Sequence, residues 1–131
     1  MVAMVGCGGH PEPAELDPGD ICSSCKMAIS ERRYAAEFVD QEGTIVKFDD
    51  IRCMIRYVRD RDLREKAAAY FVTDYDKRIW LPAEKSYYVK SKELHSPMAS
   101  GLVAFQEKTK AEEFSIKFHA EVLNFQDLWK I

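Results

Sequence analysis

The sequence predicts an α+β fold in which two similar ββαβ units pack into one body behind a flexible N-terminal tether. Three observations carry this expectation. The order strand, strand, helix, strand can be read twice along the chain. The runs Ile45-Val46-Lys47-Phe48 and Leu102-Val103-Ala104-Phe105 hold the same place in the two halves, each leading through polar residues into a helix. Gly8 to Asp20 is dense in Pro and Gly and nearly free of large apolar residues, whereas patterned apolar sequence starts at Ile21. The expected division is a tether over 1–20 and a folded domain over 21–131, with units near 27–80 and 81–131. Either unit alone would leave an apolar sheet face in water, so the two must associate.

In the first half, Tyr34 to Val39 carries little polarity beyond Glu37 and reads as a strand. Gln41-Glu42-Gly43 is a turn, and Thr44 to Phe48 is a β-branched run that completes a hairpin. Asp49 or Asp50 then stands at an N-cap position. Ile51, Met54, Ile55 and Val58 follow at i, i+3, i+4 and i+7, the apolar stripe of an amphipathic helix. Ala67 to Thr73 ends in Tyr-Phe-Val-Thr and is predicted as a strand in spite of its alanines. The second half repeats the order: strands over Ser86–Lys90 and Gly101–Phe105, a helix through Ala111, Phe114 and Phe118, a closing strand over Glu121–Phe125, and a last helical turn over Gln126–Lys130.

Composition narrows the function classes. With 131 residues, 47% of them hydrophobic, the chain can bury a core without a disulfide or metal scaffold. A net charge of −3 with interspersed signs leaves no basic footprint for nucleic acid or an anionic membrane. Charged residues interrupt every apolar run before it reaches membrane-spanning length. No glycine-rich phosphate loop, nucleophile elbow or paired-His zinc spacing occurs, which argues against phosphoryl transfer and hydrolysis. Met1 to Cys7 resembles the end of a bacterial lipobox, with Met4 where Leu is usual, so membrane attachment is expected through a lipidated Cys7.

The chemistry concentrates in Cys22-Ser23-Ser24-Cys25-Lys26-Met27, two thiols and a thioether within six positions. Soft sulfur donors select Cu(I) over harder ions. A structural zinc site would need a second Cys pair or paired histidines, and Cys7 and Cys53 stand alone. The expected metal ligands are Cys25 as thiolate and Met27 as a displaceable thioether, with Met98 as a third sulfur from a distant loop and Cys22 as a further candidate. Such a site should hold about one Cu(I) per chain, more tightly as pH rises and the thiol loses its proton. His95 is a weaker candidate nitrogen donor. Cys53 reads as core, and Asp49 and Asp50 as helix caps. Two other readings use the same residues: a Cys22–Cys25 disulfide serving thiol exchange without metal, or an enzyme placing thiolates beside Asp49 or Asp50.

Taken together, Cys25-x-Met27 after a tether, Tyr34-Ala35-Ala36, Phe48-Asp49-Asp50-Ile51-x-Cys53-Met54, Asp74-Tyr75, Trp80 and Ser96-Pro97-Met98-x-x-Gly101 resemble the NosL family from Cys22 to Trp129. The resemblance implies a fold of two ββαβ units related to that of organomercurial lyases. It also implies a periplasmic or cell-surface Cu(I) metallochaperone, not an enzyme, anchored by lipid. Its expected partner is nitrous oxide reductase or that enzyme's assembly machinery, with the chain acting as a monomer or weak dimer. The organomercurial-lyase relation frames the enzyme alternative, in which two thiolates and a carboxylate converge on mercury. Lys26 stands where the family commonly has Gly, and Ala99-Ser100 replace a Gly-containing stretch.

Overall fold

The computed structural model describes residues 11–131, so Cys7 and the lipobox-like segment lie outside the described residues. Two antiparallel sheets form the body. The first contains β1 (Ala36–Asp40), β2 (Ile45–Phe48), β3 (Ala67–Thr73) and β4 (Trp80–Pro82), in the order β2-β1-β3-β4. The second contains β5 (Tyr87–Lys90), β6 (Leu102–Phe105) and β7 (Glu121–Leu123), in the order β6-β5-β7. Helix α1 (Ile51–Asp60) follows β2, α2 (Lys108–Lys117) follows β6, and the short α3 (Phe125–Leu128) follows β7. In both halves the first strand is central, as a repeated ββαβ order requires.

Local chemistry explains most of these elements. In the hairpin, Asp40 Oδ1 accepts the N–H groups of Glu42 and Thr44 at 2.9 Å each, and Gly43 takes φ +89°, open to a residue without a Cβ. Ile51, Met54, Ile55 and Val58 are fully buried against the first sheet, as their spacing predicts. The sheets join where Tyr75 N–H donates to Ala104 C=O at 2.8 Å, beside a parallel bridge between Asp74 and Ala104.

The main differences from the sequence expectation are two boundaries and one added strand. Tyr34 belongs to a 3-10 turn over Arg32–Tyr34, and the strand begins at Ala36. The closing strand stops at Leu123 because Asn124 caps α3 in a reciprocal box with Asp127, at 2.9 Å in both directions. Strand β4 was not expected: it is three residues long and ends in Pro82, and it survives as an edge where a missing N–H is tolerated.

From Pro11 to Asp20 the chain has no helix or strand, as its composition predicts, yet it is fastened to the first sheet. Lys47 Nζ meets Asp20 Oδ2 at 2.7 Å, Leu16 packs on the core, and Ala14 N–H donates to Glu37 Oε1 at 2.7 Å. Glu37 is fully buried and its Oε2 has no partner. Burial pushes its carboxyl up to about 7, above the usual carboxylate range, although the Ala14 N–H opposes the shift. The folded chain therefore keeps a proton that the unfolded chain has lost, and stability falls as pH rises from the unfolded value toward 7. Glu37→Gln should raise stability above pH 7 by up to about 3 kcal/mol and leave it unchanged at pH 4, as read from urea midpoints at the two pH values.

Candidate metal centre

The loop from Ile21 to Ala28 is closed on itself. Cys22 N–H donates to Met27 C=O at 2.8 Å, Lys26 N–H to Cys22 C=O at 2.9 Å, and Ile21 bridges Ala28. Ser23 N–H then donates to Lys47 C=O of β2 at 2.9 Å, which fixes the loop beside the strand leading into Asp49, Asp50 and α1. Lys26 holds φ +69° in this closure, and Ala99 holds φ +56° in the loop bearing Met98. Both are left-handed positions where glycine is favoured, so the two departures from the family pattern fall where the backbone would most readily use it.

This arrangement brings one ligand atom each of Cys22, Cys25, Asp49 and Cys53 within 4.8 Å of one another. Cys22, Asp49 and Cys53 are buried and Cys25 is half-buried, so the cluster opens to solvent on the Cys25 side. There a cavity of about 250 Å³ is lined by Ser24, Cys25, Arg52, Cys53, Arg56 and Met98. Met98 is 40% exposed on its loop. Met27 is 58% exposed at the end of the Cys loop, outside the lining of this cavity, and contributes a backbone N–H toward the Cys25 sulfur. His95 is exposed and outside the cluster.

Two sequence readings are corrected here. Cys53 is not simply core. It lies about 200° around α1 from Ile51 at the helical 100° per residue, away from the apolar stripe, and is buried where it meets Cys22, Cys25 and Asp49. Its place off the stripe was the available signal. Asp49 is not a cap. Asp50 is the cap, its Oδ1 accepting Arg52 N–H at 2.9 Å, which leaves Asp49 to the thiol cluster.

Asp50 also ties the Met98 loop to the helix that carries Cys53. Its Oδ2 accepts Met98 N–H at 3.2 Å, and its Oδ1 accepts the Ser100 hydroxyl at 2.7 Å. Gly101 closes the loop: its N–H donates to Ser96 Oγ at 3.0 Å, and its C=O accepts Ser91 N–H at 2.9 Å. At φ +68°, a Cβ on Gly101 would fall 1.9 Å from Ser91 O. Gly101→Ala should therefore cost about 2 kcal/mol or more, measured as a lowered urea midpoint.

The protonation pattern follows from the donors around each sulfur. Cys22 is held as the thiolate, its pKa brought down to about 4, because Cys53 S–H donates to it and the backbone N–H groups of Cys25, Asp49 and Ser24 converge on it against the cost of burial. The Cys25 N–H lies 3.5 Å from that sulfur. Cys53 is correspondingly driven far above the usual thiol range by the hydrogen bond it gives and by burial. Cys25 is pushed up to about 11 by burial and by its anionic neighbours Cys22 and Asp49, and its S–H donates to Asp49 Oδ2 at 3.4 Å. Burial, and then Cys22, raise the Asp49 carboxyl above its ordinary value. Asp49 Oδ1 is buried without a partner. A thiolate, two displaceable thiol protons and an orphaned carboxylate oxygen at one point suit a soft cation better than a hydrophobic core.

The sequence model of the family described as NosL matches residues 13–130. No curated protein matches the chain in sequence. Among solved structures, the fold is similar to the crystal structure of the copper chaperone NosL from Shewanella denitrificans. The TM-score is 0.80 at 17% identity, over 88% of this chain and 94% of that one. At that identity the likeness speaks for the fold.

Proposed function

This chain belongs to the NosL family, and from that membership we propose that it is an extracytoplasmic Cu(I) metallochaperone supplying the copper centres of nitrous oxide reductase. The observation that carries the copper reading is the convergence of Cys22, Cys25, Cys53 and Asp49 within 4.8 Å beside the half-exposed Met98. Cu(I) is cargo in this scheme. It enters on the solvent side, where Met98 lines the cavity and offers a thioether and Met27, exposed at the end of the Cys loop, supplies a second. The Cys22 thiolate is ready without losing a proton. Bonding of copper to Cys25 displaces that thiol's proton to Asp49 Oδ2, 3.4 Å away, and from there to solvent. A filled d shell imposes little geometry, so exposed thioethers can be exchanged one at a time for a recipient's ligands. Lipidation of Cys7 would keep this cycle at the membrane, with the chain working as a monomer or weak dimer.

The deciding experiment is anaerobic metal titration of the reduced protein against a competing chelator. One Cu(I) per chain is expected, in strong preference to Zn(II), with weaker retention in Met27→Ala and Met98→Ala. Equal affinity for the two ions overturns the reading. A thiol-exchange module would instead keep its disulfide exchange and show no copper effect of either Met substitution. The cluster also places two thiols beside a carboxylate, the set that carbon–mercury cleavage requires. Hydrocarbon release from an organomercurial by the reduced protein would favour that second reading.

A further inference from the structure

The cavity that exposes the sulfur cluster is also lined by Arg52 and Arg56, one turn apart on α1. Neither guanidinium takes part in an ion pair or a side-chain hydrogen bond among the described residues. Arg52 Nε is buried without a partner. Their neighbours on the same helix behave otherwise: Arg59 donates to the Trp129 and Ile131 carbonyls, and Arg61, just past the helix end, lies 3.9 Å over the Tyr57 ring. If Arg52 and Arg56 served only to offset the Asp49 carboxylate, one of them should bond to it, yet Asp49 Oδ1 and Arg52 Nε both remain unpaired. A guanidinium carries five donors in a fixed fork that fits a carboxylate. Met98, exposed on its loop, lines the same cavity. Of the five large hydrophobic residues exposed among the described residues, Ile21, Met27 and Met98 sit on the two loops that flank the cluster.

We propose that this mouth is a docking site for a protein partner that presents an acidic side chain, flanked by apolar residues, to Arg52 and Arg56, so that recognition and copper exchange occur side by side. The proposal deepens the copper-carrier reading and rests on it for its purpose, but the binding it describes needs no metal. The exposed Met98 beside two unpaired guanidinium groups favours a protein surface over a free anion, because a small carboxylate would leave that thioether uncovered. Opposite charge at the mouth also steers encounter, an effect that salt screens.

The test uses two peptides identical except that glutamates flanking a Leu-Cys-Ala-Ala-Cys-Leu segment are glutamines in the second, and a serine version of each that cannot ligate copper. The acidic serine peptide should bind the metal-free, reduced protein at least tenfold more tightly than its glutamine counterpart at low salt, and Arg52→Gln/Arg56→Gln should abolish the difference. The acidic cysteine peptide should take Cu(I) from the loaded wild type at least tenfold faster than the neutral one, with the advantage shrinking as salt is added. In the double variant the two rates should become equal while Cu(I) retention changes by less than threefold. Equal binding of both serine peptides to the wild type, discrimination that survives the double substitution, or malonate binding as tightly as the acidic peptide would overturn the proposal. Failure of the copper-carrier reading would leave the serine-peptide result standing and would appear in the titration alone.

Discussion

Replacing Cys25 by serine should cost the reduced protein most of its hold on Cu(I). Cys25 is the half-exposed member of the cluster, its sulfur in reach of both the solvent-side cavity and Asp49. A hydroxyl at that position offers copper a hard donor and keeps its proton at neutral pH. The loss should exceed the roughly 100-fold that removal of an outer-shell partner costs a metal site. Cys22→Ser should be comparable, since it removes the sulfur held as thiolate by the Cys53 S–H and three backbone N–H groups. Cys53→Ser should be milder, because its hydroxyl still donates to the Cys22 sulfur. Competition titrations of the three variants give the ranking directly. Retention of wild-type affinity by Cys25→Ser would remove the loop from the site altogether.

Asp50→Ala should be the most damaging single change to the fold near the site. The carboxylate is fully buried and accepts from Arg52 N–H, Met98 N–H and the Ser100 hydroxyl. Removing it takes away a helix cap worth about 1 kcal/mol. It also strands two largely buried donors at about 1–3 kcal/mol each, so the total is about 3–7 kcal/mol. That is a large share of the stability of a domain this size. It should appear as a melting temperature lowered by about 10 °C or more. Copper retention should fall with it, because the Met98 loop is then no longer tied to α1. Asp50→Asn keeps one acceptor oxygen and should recover part of both effects. If Asp50→Ala melts like the wild type, the strap between the two halves is not what holds Met98 in place.

The sulfur donors differ in how far they could be read from the chain. Cys22 and Cys25 announce themselves by their spacing and the softness of their atoms, and both belong to the cluster. Cys53 and Asp49 read from the chain as core and cap because each has a common local role, a small apolar residue in a helix and a residue at a helix start. Spacing cannot show that a loop some 25 residues upstream is laid across that turn by Ser23 N–H on Lys47 C=O. Met27 and Met98 divide the other way. The short spacing favours Met27, which stands exposed outside the cavity, while no spacing points to Met98, which does line it. The weaker nitrogen candidate His95 lies exposed outside the cluster.

What the chain determined by itself was local and periodic: the helix stripe of Ile51, Met54, Ile55 and Val58, the Gly43 hairpin, the repeated ββαβ order and the softness of the Cys loop. Each depends on residues a few positions apart, where side-chain period and backbone propensity act directly. Only the tertiary structure decided that Asp50 binds the Met98 loop, that Cys53 faces Cys22, and that Asp49 is left without a second partner. Those relations join segments 24 to 50 residues apart, and they arise because two sheets burying their apolar faces bring those segments together.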